Sequence, residues 1–268
     1  MGVLWADPVV PAPDDPAHVR NAGPMPPTTR LSVPVDAVEG AVEQVREVLA
    51  EIKPRLRGWL HLGTVPLALA AGIVLIVLSP TASTRAGSAI FVGSSIVLFT
   101  VSAVYHRGSW SPRTQKVLRR CDHASIFLLI AGSYTAYALL LLRGEQLTWL
   151  LSLVWAGALL GIVFRVCWVT APRWLHTPLY LGLGWLAVAF TPGLIAGSMR
   201  LHAGVGTTTL ILLAAGGALY TLGGVVYGFQ RPNPWPRWFG FHEVFHTLTV
   251  LAFASHLVGV SLATLSMR

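Results

Sequence analysis

Charge is what this sequence has least of. Only 11% of its 268 residues are Asp, Glu, Lys or Arg, against about 25% in a soluble domain. That scarcity excludes an ordinary soluble fold. Acidic residues are the scarcest: after residue 52 only Asp122, Glu145 and Glu243 remain. Cysteine is nearly absent. Cys121 and Cys167 cannot build a disulfide framework, and they read as small packing residues at helix ends. The start, MGVLWADPVV, has no basic region followed by an apolar one, so no cleavable signal is expected. It also lacks the Ser or Thr at position 6 that myristoylation requires. No internal repeat is visible.

What is abundant is uninterrupted apolar sequence. Residues 86–106, 123–142, 146–164, 174–199 and 201–230 contain no formal charge, and a helix crossing a bilayer needs roughly 20 such residues. The runs do not alternate as barrel strands would. Backbone groups in lipid must be bonded internally, so the runs are helices. The expected fold is all-α: a polytopic seven-transmembrane helix bundle with spans near 59–79, 86–106, 122–142, 146–168, 175–198, 204–227 and 239–262. With the N-terminus inside, the inner segments carry 15 basic residues and the outer ones 4. Without the remote Arg20, Arg30 and Arg46 the balance is still 12 to 4. The positive-inside rule thus predicts a cytoplasmic N-terminus, an outer C-terminus and a plasma-membrane location. The net charge of +8 reads as topology and contact with anionic lipid, with no nucleic-acid partner.

Three segments follow. Residues 1–34 hold eight prolines and read as a disordered cytoplasmic tail. Residues 35–53 read as an amphipathic helix, with Val35, Val38, Val42, Val45, Leu49 and Ile52 on one face and a stripe of Glu39, Glu43, Glu47 and Glu51. Residues 55–265 form the membrane domain.

Ionisable residues at membrane depth are costly and need a partner or a task. Under the predicted topology Ser102, His106, Asp122, His242 and His246 share one depth on the cytoplasmic side, from three different spans. The stretch HEVFH (242–246) fits H-E-x-x-H, the pattern of a zinc protease. His242 and His246 lie one helical turn apart on one face, as do Ser102 and His106 in SAVYH. Three imidazoles leave a fourth tetrahedral position for water, the arrangement of a catalytic zinc site. Zinc brings a bound water's pKa near 7. Asp122 suits a general base or acid, and Ser102 can steer an imidazole or bond an oxyanion. Other histidines have simpler readings. His61, His176 and His202 read as helix-end anchors or packing residues. His123 supports the site or packs. His256 lies about 15 Å beyond His246 along the helix and reads as a polar helix contact.

SAVYHR, DHASIFLLIAGSYTAYALL and FGFHEVFHTLTVLAFASH resemble the hemolysin III branch of the progestin and adipoQ receptor family, across roughly residues 55–265. The family's S-x3-H, Asp and H-x3-H pattern falls on Ser102 and His106, on Asp122, and on His242 and His246. The resemblance implies a seven-helix bundle with zinc held by His106, His242 and His246, and Asp122 reaching it through water. The wider superfamily includes alkaline ceramidases. It therefore implies a metal-dependent hydrolase of a lipid amide or ester, with membrane lipids as partners and a role in membrane homeostasis. No protein partner is indicated, and the proline-rich tail has no counterpart in the family.

Three other functions compete with a lipid hydrolase. One is a membrane sensor whose zinc is structural. Another is an intramembrane protease with Glu243 as base, although Glu243 lies about 100° round the helix from His242. The last, a pore-forming cytolysin, rests on the family label alone. TPG at 191–193 either bends span 5 and opens a cavity or makes a packing kink.

Overall fold

The computed structural model describes residues 54–268. The tail at 1–34 and the amphipathic segment at 35–53 lie outside the described residues. Within them the chain is helical, without strands. The helices are α1 Trp59–Leu78, α2 Ala82–Arg107, α3 Pro112–Leu141, α4 Gly144–Cys167, α5 Arg173–Trp185, α6 Thr191–Ser198, α7 Val205–Phe229 and α8 Phe241–Leu265. A 3-10 segment, Leu186–Phe190, joins α5 to α6. Seven spans are long and apolar enough to cross a membrane, with Arg173–Ser198 counted as one. This is an integral, multi-pass membrane protein.

The helix starts follow local chemistry. Thr81 and Thr84 form a reciprocal capping box at the head of α2. Ser111 accepts from the Thr114 N–H at 3.3 Å, and Pro112 occupies the first turn of α3, where its missing N–H costs nothing. That cap sets α3 ten residues ahead of the apolar run that marked span 3. The basic segment PRTQKVLRR is therefore helical and leads into the bundle. Asp122 lies about 15 Å along α3, buried beside α2, and Cys121 beside it is exposed. Cys167, the last residue of α4, is exposed as well, so neither cysteine packs the interior as expected.

α3 is the axis of the bundle. Of its most apolar window 72% is buried, against 11–56% for the other spans. It packs between α2 and α4, while α7 pairs with α8, and α8 closes back on α1. Small residues let α2 and α3 approach, as is usual where lipid offers no hydrophobic drive. Gly132 sits against Ser94, and Gly87 faces the Ala136 backbone. Leu67, Leu160, Val188 and Phe229 are exposed, the expected outer surface of a protein whose solvent is lipid.

Span 5 is broken upstream of TPG. The 3-10 turn precedes Thr191, and Pro192 opens α6 at a position that tolerates proline. Tyr134 on α3 clasps the break. Its hydroxyl donates to Gly184 O and accepts from the Ala187 N–H, each at 2.6 Å.

Candidate metal centre

His106 closes the last turn of α2, and His242 and His246 occupy the first two turns of α8. Antiparallel packing brings these ends together. His106 Nε2 and His242 Nε2 are 3.1 Å apart. The ring centroids stand 4.7 Å apart for His106 and His242, 4.5 Å for His242 and His246, and 5.2 Å for His106 and His246. One ring nitrogen from each residue lies within 4.8 Å of the others, so the group can hold a metal ion. Zn–N bonds of about 2.1 Å put tetrahedral nitrogens roughly 3.4 Å apart, so small side-chain movements would close the set. The donors fit zinc: three imidazoles, with His246 Nδ1 buried and without a hydrogen-bond partner among the described residues.

Asp122 stands beside the triad, its Oδ2 3.8 Å from His106 Nε2. Ser102, one turn before His106, is buried with it and lies within side-chain interaction range of the Asp122 carboxylate. The structure thus brings together all five residues singled out from the sequence.

Glu243, the acid of H-E-x-x-H, is held away from the triad. It is fully buried, at 0% exposure. One oxygen accepts from Arg57 Nε at 2.7 Å, and the other accepts from the Gly240 N–H at 2.8 Å. Both oxygens are engaged in capping α8 and tying it to the segment before α1. Gly58, one residue on, has φ 82°, and a Cβ there would come within 2.9 Å of the His106 Cβ. Only glycine allows the chain to pass so close to this ligand candidate.

Two participants escape the sequence reading. His61 on α1 packs, as expected of it, but against a member of the triad. Its ring stacks on His246 at 3.9 Å and 15°. The signal was its place at the same end of the bundle as the other histidines. Arg165 stands near the end of predicted span 4 as one of the inner basic residues, yet its exposure is 0%. Its guanidinium contacts His123 Nδ1 and lies 3.5 Å from His176 Nδ1. Tyr180 donates to His123 O at 3.1 Å. His123 and His176 therefore belong to a second polar cluster, separate from the triad. His256 makes the expected helix contact, with Nε2 3.2 Å from Leu213 O. His202 is exposed.

The fold and centre define a class: a polytopic membrane protein whose second, third and seventh spans converge on a histidine triad beside a serine and a carboxylate. Within that class the chain belongs to the Haemolysin-III related family, whose model matches residues 49–257. It is 31% identical to Hemolysin-3 of Bacillus cereus over 169 residues, covering 62% of this chain and 73% of that protein. It is 34% identical to a Hemolysin-3 homolog of Bacillus subtilis (strain 168) over 139 residues, covering 52% and 62%. It is 26% identical to the Homo sapiens monocyte to macrophage differentiation factor over 167 residues, covering 61% and 64%. The aligned region thus spans less than two thirds of the latter two relatives.

Proposed function

We propose that the protein is a zinc-dependent hydrolase of a lipid amide or ester, acting at the cytoplasmic side of the plasma membrane in membrane homeostasis. The carrying observation is a carboxylate 3.8 Å from one imidazole of a buried triad, with a serine beside it. His106, His242 and His246 would hold the ion, which supplies Lewis acidity toward a water and a carbonyl oxygen. The protein's own groups do the rest. Asp122 takes the proton of the attacking water and returns it to the leaving amine or alcohol. Ser102 orients that carboxylate. The products balance as a free fatty acid and an amine or alcohol.

Among the described residues the histidine end of the bundle carries most of the arginines and lysines, which supports a cytoplasmic centre by the positive-inside rule. A second reading, a sensor with a structural zinc, is favoured by one observation. Among the described residues, neither the cleft at Arg200 nor the one at Leu75 is lined by His106, His242 or His246, and a substrate needs a path.

The test is incubation of the purified protein with ceramides, phospholipids and acyl esters. Release of fatty acid that requires both His246 and Asp122 is expected. Retained zinc with no turnover on any of these lipids would establish the structural reading instead.

A further inference from the structure

The end of the bundle opposite the histidines carries a cleft of about 690 Å³. It lies between the C-terminal ends of α3 and α8 and the turn from α6 to α7. Arg143, Arg200 and Arg268 line it, with His202 and Ser266 at its wall and Leu140 among its apolar lining. Among the described residues no side-chain carboxylate lines it. Glu145, the nearest acid in sequence, stands exposed in the first turn of α4, and no described carboxylate comes within ion-pair distance of the three arginines.

Two of the guanidinium groups are fixed by the backbone. Arg143 Nη1 donates to Leu142 O at 2.7 Å and to Leu139 O at 3.0 Å. Arg200 donates from Nη2 to Leu141 O at 2.5 Å and from Nη1 to Ala196 O at 3.3 Å. These are carbonyls at helix C-termini that lack intrahelical partners. Capping alone explains one nitrogen on Arg143 and two on Arg200. An arginine has five N–H donors in a rigid fork, so each group keeps donors beyond those the carbonyls take. Three guanidinium groups around one cleft give it a positive potential that favours an anion. The cleft sits at the ends of membrane spans, the depth of lipid phosphates, where arginines can meet an anionic headgroup. Its size falls within the usual range of ligand pockets.

We infer that this cleft binds the phosphate of an anionic phospholipid headgroup through Arg143, Arg200 and Arg268. The site is independent of the metal centre and of any hydrolysis there. The glycerol backbone would lie over Leu140, with the acyl chains along the outer surface of the bundle.

The test is native mass spectrometry of the purified full chain, titrated with phosphatidylglycerol, phosphatidylcholine or inorganic phosphate. Phosphatidylglycerol should bind at least about tenfold more tightly than phosphatidylcholine: both offer a phosphate to the arginines, but the choline ammonium cancels the lipid's net charge and is repelled by three guanidinium groups. Arg200→Gln should weaken it about tenfold. Arg268→Gln caps no helix carbonyl with its side chain, so it can be substituted without disturbing a helix end, and it should weaken binding severalfold at unchanged zinc content. Equal binding of the two lipids would overturn the inference, as would unchanged phosphatidylglycerol binding in folded Arg200→Gln and Arg268→Gln. Displacement of the lipid by millimolar inorganic phosphate would assign the cleft to free phosphate and overturn the lipid assignment.

Discussion

Two clusters of histidines lie at one end of this bundle, and they differ in what stands between the rings. In the triad, centroids are 4.5–5.2 Å apart. In the other, His123 and His176 are 6.0 Å apart and the Arg165 guanidinium reaches both. The second cluster carries its own cation. Imidazole nitrogens that face a covalently attached guanidinium already meet a cation, whereas the triad's nitrogens lie within 4.8 Å of one another and could hold one. Tyr227 separates the two, with its ring 6.0 Å from His176 and 6.1 Å from His242. A count of histidines therefore does not locate a metal site; the placement of fixed charge does.

The comparison can be broken most decisively at the triad. His242→Ala or His246→Ala should reduce zinc from close to one per chain to near none, read by elemental analysis after purification without chelator. Wild-type protein purified the same way and found metal-free would remove the basis of the proposed function. Asp122→Asn should keep the metal and lower fatty-acid release about 10²–10⁴-fold, the usual contribution of a positioned acid or base. An unchanged rate would show that Asp122 is not the proton acceptor. Ser102→Ala removes the group that orients Asp122 and should cost about 10–100-fold in activity or metal affinity. Glu243→Gln keeps an acceptor for Gly240 and should leave turnover within about tenfold. A loss matching that of Asp122→Asn would return the protease-like assignment of Glu243. The smallest effect on metal is expected at the second cluster. Arg165→Gln should leave zinc stoichiometry unchanged and cost about 1–3 kcal/mol of stability, the penalty for unpaired buried groups, read as a lower thermal midpoint. A second zinc in that variant would show that the guanidinium had been excluding it.

The fold and the triad were legible in the sequence for physical reasons. Charge-free runs of 20 residues have one solution in lipid, and the i, i+4 spacing of His242 and His246 fixes a shared face. The asymmetry of basic residues set the depth, and so brought His106 and Asp122 into register with them. What stayed hidden depends on rotation about helix axes. Arg165 sits at the border of an apolar run, where an inward and an outward side chain leave the same pattern. His61 has no periodic partner on α1 to show that it faces His246. The early start of α3 was masked because PRTQKVLRR is too polar for a span, although Ser111 and Pro112 signal a helix start. TPG signals a bend or kink in span 5 because proline disrupts a helix, but nothing in LAVAF signals the 3-10 turn that lies just before it.

The clasp between Glu243 and Arg57 joins residues 186 apart in sequence. Arg57 precedes the first span, and Glu243 opens the last. During synthesis the chain can insert six spans while Arg57 still lacks its partner and His106 still lacks its companions. Only the arrival of α8 closes the ring, and the same turn of helix delivers the ion pair and two of the three imidazoles. Assembly and site formation are thus one event. A chain that stalls before α8 lacks the Glu243 partner of Arg57 and two of the three imidazoles.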